Sequence, residues 1–588
     1  MRKRGRTSAR VIATAAMLIV AVTFIASPAA ATGTITVTTT TDGDIGDPGI
    51  GCPAGDDDVC TLRAAIATAE SGDTIQLPDG TLHLADEIVI TSSVRIVGES
   101  RSATVIEPDP DGSSPHRLFT IDAPGANVAF QDLALARGQS PDTKTPGAAL
   151  RLISDAQVSI LSVLFDANDA LTDNVALAGA IYVGPHEIDL TVSRSRFRRN
   201  VADAGGALFV DRTSGSIRIA DSHFAENEAS AFGGTGGALH VSSAPAIVEI
   251  DSATFDENQA QLLGGAILVE GSSRVEARRS TFTSNLSGSG ASLVARAGSS
   301  IEVTNSSFLA NTASTAGGVL STQSGGNSAT LRFVTITDDA SAFDVADGSA
   351  VDLQRSALQN TSGCANVAVT DTFADATSSG NCGTTSVADL RLSDAVSGGY
   401  LTPMHGSPIL DAFDADCQDT DQRGRARSTP CAAGAVDTSG ITCPSEIPRS
   451  EQVTCELDVA IAADADVRVE INPVLFDNTV SLDAGIGTFA FSVPPEIDED
   501  TLRITAEGDG QTYVADHPVA APPPTDDDTS SNDGDPDPQP VDPAATEDEE
   551  LPDQLAMTGA PLVELTGAGV ILVASGVMLW RTMGREKP

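Results

Sequence analysis

The stretch GGALFVDRTSGSIRIADSHFAENEA, residues 205–229, holds one complete unit of the repeat that decides the fold. Its second half has the pattern Ser-x-Phe-x-x-Asn-x-Ala, and the aromatic residue recurs every 26 to 32 residues, as Phe165, Phe197, Phe224, Phe255, Phe282 and Phe308. The amide residue follows three positions later each time, as Asn168, Asn200, Asn227, Asn258, Asn285 and Asn311. The first half, Gly-Gly-Ala-Leu or Gly-Gly-Ala-Ile, begins at Gly205, Gly236 and Gly264, with a looser copy at Gly317. A repeat of this period predicts a solenoid in which one small unit stacks on the next.

Each unit is predicted to form three short strands, which in this stretch span residues 207–210, 217–219 and 222–224. Apolar or small residues alternate with polar ones in the second and third strands, as a half-buried strand requires. The alternation slips by one position between Ile219 and Ser222, and the same slip separates Val192 from Ser195, Ile250 from Ala253, Ala277 from Ser280 and Val303 from Ser306. A corner repeated in this way closes three strands into a coil, whereas an antiparallel meander, the alternative, does not require it. We therefore predict a parallel β-helix, with the Phe residues in one internal column and the Asn residues in another at a turn.

The charge and the aromatic content limit the function. The chain has 34 Lys and Arg residues against 81 Asp and Glu residues, a formal net charge of −47. Nucleic acid is therefore excluded as a default partner, because phosphate binding needs a basic face. One Trp and three Tyr residues offer few flat surfaces on which sugars could stack. This scarcity favours a binding protein over a glycan-degrading enzyme.

The N-terminal segment, residues 1–31, is predicted to be a signal peptide. Basic residues precede an apolar run over residues 11–25, and three alanines ending at Ala31 supply the small residues of a cleavage site. An uncleaved anchor is the alternative. Export into an oxidising environment would allow the eight cysteines to form disulfides.

The C-terminal end carries a second processing signal. Residues 521–554 form an acidic, Pro-rich spacer that is too polar to bury a core. Residues 555–588 then contain Leu-Ala-Met-Thr-Gly, an apolar run and a basic tail. This series resembles a sortase sorting signal of the LPxTG type, in the variant seen in actinobacterial surface proteins, although a plain membrane helix is the alternative. The resemblance implies cleavage between Thr558 and Gly559, with sortase and peptidoglycan as partners and the cell surface as the location.

Other motifs connect the repeat to a family. Phe-x-x-Asn followed by Gly-Gly-Ala-Ile resembles the polymorphic outer-membrane and pectate-lyase-like right-handed β-helices. Residues 60–66, Cys-Thr-Leu-Arg-Ala-Ala-Ile, resemble the Cys-Ser-Leu-Arg-Glu-Ala motif that caps exported helices, with Thr61 for Ser and Ala64 for Glu. Residues 407–411, 420–424 and 434–437 are similar to the closing segment called the choice-of-anchor Q domain. The resemblance implies a right-handed solenoid over residues 32–440 and a surface anchor, but it implies no particular reaction.

Two further structural elements are predicted at the ends of the solenoid. Residues 62–70 have an amphipathic pattern that predicts a short helix plugging the first coil. Residues 441–520 show alternating runs with Pro-rich exits, which predict a small Ig-like β-sandwich that serves as a stalk.

Proximity in the sequence predicts the disulfide pairing. The expected pairs are Cys52–Cys60, Cys364–Cys382, Cys417–Cys431 and Cys443–Cys455. A metal site is the alternative, but the sequence contains no Cys-x-x-Cys, and eight cysteines allow about 105 connectivities.

The strongest candidate binding residues are three arginines in a basic cluster. Alternation places Arg194, Arg196 and Arg198 outward on one strand, where they could hold an anionic polymer such as a uronan or a teichoic acid. The alternative is a stabilising charge ladder, because alignment of the coils on Phe places Arg199 beside Glu226 and Arg194 beside Asp221.

Acidic runs are the remaining candidates for ligand binding. Oxygen ligands suitable for Ca²⁺ occur at Asp56, Asp57, Asp58, Asp411, Asp414, Asp416, Asp419 and Asp421, with solvated turns as the alternative. No other cofactor is expected. The sequence thus predicts a non-enzymatic, wall- or membrane-anchored surface protein for adhesion or for matrix or polysaccharide binding through the β-helix face. The alternative is a polysaccharide lyase or glycoside hydrolase that acts on acidic glycans near Arg196.

Overall fold

The structure is a computed structural model of the chain. It describes residues 33–392 except for 45–46, 48, 53–58, 113–114, 141–145, 171–175, 231–232, 246, 340, 380–381. It also describes residues 401, 403, 407–410, 412–413, 417–425, 427, 431–436 and 440–442, and six strands between residues 452 and 518. The predicted processing residues Ala31, Thr558 and Gly559 lie outside the described residues, as does the acidic spacer. No helix within the described residues has both the length and the apolar character needed to cross a membrane.

Three parallel sheets run along the solenoid, and we call them the long, the middle and the short sheet. The long sheet has 24 strands. They are Thr34–Thr36, Asp73–Gln76, Gly80–Leu84, Val94–Val97, Thr104–Pro108, Ala126–Gln131, Ala134–Ala136, Ala156–Leu161, Leu164–Asp166, Ile188–Ser193, Arg196–Arg198, Ile217–Ala220, His223–Ala225, Ile247–Asp251, Thr254–Asp256, Arg274–Arg278, Thr281–Thr283, Ser300–Leu309, Ser328–Thr337, Ala350–Gln354, Ala357–Gln359, Ala368–Thr370, Phe373–Ala374 and Thr385–Ser386.

The middle sheet has ten strands and the short sheet has five. The middle sheet contains Ile88–Ile90, Phe119–Ile121, Leu150–Leu152, Ile181–Val183, Leu208–Asp211, Leu239–Ser242, Ile267–Glu270, Leu293–Arg296, Leu320–Gln323 and Phe343–Val345. The short sheet contains Val201–Ala202, Glu228–Ala229, Gln259–Leu263, Leu286–Ser289 and Thr312–Ala313. Every strand pair in these three sheets is parallel, so the prediction of a parallel β-helix is confirmed.

The quoted repeat unit forms one coil. Its predicted strands are present as Leu208–Asp211, Ile217–Ala220 and His223–Ala225, and a fourth short strand, Glu228–Ala229, was not predicted. The alternation slip is a real corner. Asp221 lies there with a φ of 48°, and the residues at the same corner of the coils on either side have similar values. This left-handed backbone turns the chain without breaking the pairing of the strands on either side.

The predicted Phe column fills the centre of the solenoid. Phe224 stacks on Phe197 with ring centroids 4.5 Å apart and on Phe255 with centroids 4.9 Å apart. The whole column is fully buried, from Phe165 to Phe308. Parallel, in-register pairing places identical side chains above one another, so a regular spacing in the sequence becomes a continuous stack.

The Asn column is also present, at the turn that follows each Phe strand. The side-chain Nδ2 of Asn227 donates to Oδ1 of Asn258 at 2.9 Å and to the carbonyl of Phe197 at 3.0 Å. The backbone N–H of Asn227 donates to the same Oδ1 at 3.2 Å. Each amide therefore satisfies buried groups of two neighbouring coils, which compensates for the cost of burying it.

The predicted N-terminal helix spans Leu62–Thr68, two residues less than expected. The Thr61 side chain caps it by accepting from the backbone N–H of Ala64 at 3.1 Å. Leu62 and Ile66 are buried in the same cluster as the residues of the first coils. Its role as a plug of the solenoid stays a prediction.

Three of the predicted cysteine pairs are disulfides. They are Cys52–Cys60, Cys364–Cys382 and Cys417–Cys431. Cys443 lies outside the described residues, so its pairing with Cys455 stays a prediction.

The region after the solenoid has antiparallel strands. One sheet contains Gly440–Thr442, Gln452–Asp458 and Ile486–Ser492. A second contains Asp466–Asn472, Phe476–Ser481, Thr501–Gly508 and Gln511–Pro518. The predicted β-sandwich would require these two sheets to pack face to face, and that arrangement stays a prediction.

Candidate functional site

The structure separates the three arginines that the sequence placed on one strand. Arg196 and Arg198 point outward from the strand Arg196–Arg198. Arg194, in contrast, lies at the corner before this strand, with a φ of 49°. The expected placement of Arg194 on the strand was wrong, because the corner uses up two residues between Ser193 and Arg196.

Arg198 and Arg199 are paired with a carboxylate of the preceding coil. Nη2 of Arg198 lies 3.1 Å from Asp166 and that of Arg199 lies 2.8 Å from it. Partial burial acts to raise the pKa of the Asp166 carboxyl, but the hydrogen bonds from both arginines outweigh it, and the pKa is lowered. Arg199 therefore pairs with Asp166 rather than with the expected Glu226.

Arg194 and Arg196 instead line an open groove of about 730 Å³ at the corner. Arg101, which is 93 residues before Arg194, contributes a third guanidinium and donates to the Arg194 carbonyl at 3.2 Å. Asp132 and Asp221 also line the groove, which therefore combines cationic and anionic side chains. The other residues of the lining include Gln131, Ser162, Ser195, Ser222, His223, Ser252 and Thr254.

The groove arginines differ from other outward arginines of the solenoid. Arg218 lies 2.8 Å from Glu249, and Arg274 lies 2.8 Å from Glu302. Within the described part of the chain, we find no carboxylate within 4.0 Å of the guanidinium groups of Arg101, Arg194 or Arg196. In a chain with a net charge of −47, these three groups are available for an anionic ligand.

His223 is the titratable group next to Arg196 in the groove. The two residues are direct partners on neighbouring coils. Burial lowers the pKa of His223 and the charge of Arg196 lowers it further, while Asp256 acts in the opposite direction. Its Nε2 is buried and has no hydrogen-bond partner among the described residues. The imidazole is therefore neutral near pH 7 and can accept a proton or donate a hydrogen bond.

A second depression of about 580 Å³ continues along the strands that enter the corner. Asn127, Gln157 and Asp189 face it from three successive coils. Arg95 lines it too and donates to Gln131, which lines the first groove. A polar surface therefore extends from the corner across several coils.

The aromatic residues of the middle sheet do not form a sugar-binding platform. Tyr182 and Phe209 stack with centroids 6.1 Å apart, and both are buried in a cluster with Ala178 and Ala204. The Tyr182 hydroxyl donates to Asp211 at 2.9 Å. Burial and this hydrogen bond raise the pKa of Tyr182. Next to them, His240 lies 3.2 Å from Glu270 and is itself buried.

The described residues contain no cluster of three or more His, Cys, Asp or Glu side chains that could hold a metal. Of the acidic residues proposed for Ca²⁺, Asp419 and Asp421 are described and the others lie outside the described residues. Asp421 is fully buried and its carboxylate accepts from the backbone N–H and the side chain of Arg423. It is therefore engaged within the protein rather than open to a cation.

Comparison with known proteins agrees with the fold. The model of the right-handed β-helix region matches residues 178–365. The match and the parallel pairing of the strands agree on a right-handed parallel β-helix fold. No curated protein matches its sequence.

Solved structures give weak likenesses. A PL6 alginate lyase in complex with a trisaccharide has 11% sequence identity and a TM-score of 0.38, and the match covers 59% of this chain and 88% of that chain. A pectate lyase has 13% identity and a TM-score of 0.34, covering 69% and 96% of the respective chains.

Proposed function

We propose that this protein binds an anionic, hydroxyl-bearing polysaccharide in the corner groove. The observation that carries the proposal is the set of three guanidinium groups, of Arg101, Arg194 and Arg196, that face one groove without a carboxylate partner among the described residues. Guanidinium groups bind carboxylates with paired, charge-assisted hydrogen bonds. The groove would therefore attract acidic sugars in spite of the negative charge of the chain.

The carboxylates of the groove fit this class of ligand. Asp132 and Asp221 can accept hydrogen bonds from sugar hydroxyls, whereas they would repel a polymer whose every unit presents only anionic groups. A polyuronate offers both kinds of group in each unit. The polar depression beside the groove would extend the contact over several units.

Surface attachment is a further part of the proposal. The signal peptide, the acidic spacer and the sorting motif support export, with the solenoid held away from the wall by a self-repelling linker. Thr558→Ala should release the protein from the wall fraction into the medium if sortase joins it there. Unchanged retention of this variant in the wall fraction would refute that attachment.

The binding proposal can be tested with a double variant inside the groove and a control variant at a paired arginine outside it. The double variant Arg194→Ala plus Arg196→Ala removes two groove cations, and Arg218→Ala removes an outward arginine that is paired with Glu249. We expect the double variant of the purified full chain to bind a polyuronate at least about tenfold more weakly and Arg218→Ala to bind normally. Equal binding of the double variant and the unmodified chain would contradict the proposal.

A second candidate function is a polysaccharide lyase, which the lowered pKa of His223 beside Arg196 favours. In such an elimination Arg196 would neutralise the uronate carboxylate and His223 would accept the C5 proton. The C4–O bond breaks as the C4–C5 double bond forms, and the leaving oxygen takes its proton from the imidazolium. The test is the ultraviolet absorbance of the unsaturated product, which should be lost in His223→Ala. Binding of polyuronate without any such absorbance overturns this candidate and leaves the binding function standing.

A further inference from the structure

The groove follows a row of side chains that continues past it toward the C-terminal coils of the solenoid. The residues two positions after each corner residue are direct partners from coil to coil: Arg196, His223, Thr254, Thr281, Ser307 and Thr335. We call this the axial row. Its first three members are exposed or half-buried, whereas its last three are no more than 2% exposed.

The chain itself covers the buried part of the axial row. The described residues of the range 417–436, which we call the closing segment, lie over it. Ala435 donates its backbone N–H to the hydroxyl of Thr335 at 2.9 Å. Arg427 donates to Oδ1 of Asn305, the corner residue of the neighbouring coil, at 3.0 Å. The polar groups of these coils are thus satisfied by another part of the same chain.

Gln422 of the closing segment contacts two members of the axial row, and only 6% of it is exposed. Its Nε2 donates to the Thr281 hydroxyl at 2.9 Å and to the Ser280 carbonyl at 3.1 Å. Its Oε1 accepts from the Ser307 hydroxyl at 2.5 Å. A planar group with two polar atoms therefore bridges two adjacent coils of the axial row.

The covered part ends where the open groove begins. A side chain at Gly424 would come within 2.7 Å of the Arg279 guanidinium, so the closing segment reaches the Arg279 corner. The preceding corner residue is Ser252, which lines the open groove. The closing segment and the groove therefore follow one line along the solenoid, end to end.

We infer that the open groove takes a planar carboxylate on Arg196, His223 and Thr254, as the covered part takes the carboxamide of Gln422. In the covered part of the axial row, the carboxamide nitrogen of Gln422 donates to a carbonyl, and its oxygen accepts from a hydroxyl. This arrangement suits an amide. Arg196, His223 and Thr254 carry a guanidinium, an imidazole and a hydroxyl, all of which can donate. A planar ligand group with two acceptors fits them, and this is a uronate carboxylate rather than a tetrahedral sulfate or phosphate.

This inference rests on the proposed function and names the ligand class. We would measure binding of the purified full chain to a polyuronate, to the same polymer with its carboxyl groups reduced, and to dextran sulfate. The variants are His223→Ala and Thr254→Val, with Thr254→Ser as the conservative variant. The matched control is Thr330→Val, at a half-buried Thr of the strand Ser328–Thr337 outside the groove lining.

We expect the unmodified chain to prefer the polyuronate, and the reduced polymer to bind at least about tenfold more weakly. His223→Ala and Thr254→Val should each weaken polyuronate binding about tenfold and leave dextran sulfate binding unchanged, which also shows that they fold. Thr254→Ser and Thr330→Val should bind as the unmodified chain does.

The two proposals fail in different ways. Suppose that polyuronate and dextran sulfate bind equally well, and that only Arg194→Ala plus Arg196→Ala abolishes this binding. This result would overturn the inference of carboxylate recognition and would leave the groove as the binding site. If polyuronate binding survives the loss of both arginines, the proposal that the corner groove is the binding site is wrong.

Discussion

The guanidinium of Arg427 lies over the ring of Phe333, with its carbon 4.5 Å from the ring centroid. Phe333 occupies a corner position with a φ of 51°, which is unfavourable for a bulky residue. Arg427 also donates to the carbonyls of Gly434 and Ala435. One side chain thus covers a strained corner and ties together two parts of the closing segment.

Arg427→Lys should loosen the closing segment. A lysine cannot reproduce the planar stacking or the several divergent hydrogen bonds, so we expect a loss of about 2 kcal/mol of local stability. Hydrogen exchange of residues 417–436 in the full chain would measure it, with Arg218→Lys as the exposed control. Unchanged protection of these residues would contradict the assigned role of Arg427.

Asn258→Ala should strongly destabilise the solenoid. The Asn258 side chain donates to the Phe224 carbonyl at 2.9 Å and to Oδ1 of Asn285 at 3.1 Å, and it accepts from Asn227. Its removal leaves buried partners unsatisfied, at a cost of about 3 kcal/mol in the free energy of unfolding. Denaturant unfolding would test this against Asn127→Ala, an exposed residue of the same type. Similar midpoints for the two variants would show that the Asn column is not a major source of stability.

Phe224→Ala should create a cavity in the aromatic column. The ring is fully buried between two other rings, so we expect a loss of about 3–5 kcal/mol. Leu262→Ala is a suitable control because half of this side chain is exposed. The difference between the two variants in chemical denaturation measures the effect, and a difference below about 1 kcal/mol would argue against a tightly packed column.

Asp339→Asn should stabilise the protein at neutral pH. Asp339 is fully buried and follows Asn311 in the Asn column, where an amide would continue the pattern. Burial raises the pKa of its carboxyl well above its usual range, and Asn311 offsets this only in part. Because the folded state keeps the proton to higher pH than the unfolded state, stability falls as the pH rises above the ordinary Asp pKa of about 4.

Asp339→Asn should remove this dependence of stability on pH. We expect the gain in stability over the unmodified chain to be small near pH 3 and to grow until the pH passes the raised pKa of Asp339. Asp347→Asn, at an exposed carboxylate that does not act on the pKa of Asp339, should show no such growth. A constant difference across this pH range would mean that the Asp339 carboxyl does not titrate abnormally.

The repeat made much of this fold predictable. Phe224 and Asn227 recur at a constant offset, and in-register parallel pairing converts a constant offset into straight columns. The corner was visible as a slip in alternation. The fourth strand of the coil was missed because Glu228–Ala229 is too short to show a period.

The candidate site was predictable only in part. Arg196 was identified because it stands out in an acidic chain. The ion pair of Arg198 was not predicted, because its partner Asp166 is 32 residues away. Alternation shows that an arginine points outward, but it does not show which neighbouring coil supplies its partner. His223 gave no signal beyond its place in the repeat, because its lowered pKa arises from burial and from its partner on the preceding coil.

The sequence by itself determined the stacking of the coils, because periodic apolar and amide residues permit one register of parallel pairing. Tertiary structure alone decided which part of the outer surface stays open. Gln422 covers Thr281 and Ser307, while Arg101 joins Arg194 and Arg196 from a coil far earlier in the chain. Both contacts join residues about 90 to 140 positions apart, which is far longer than the repeat period. They therefore depend on how distant parts of the chain pack on the outer surface of the solenoid.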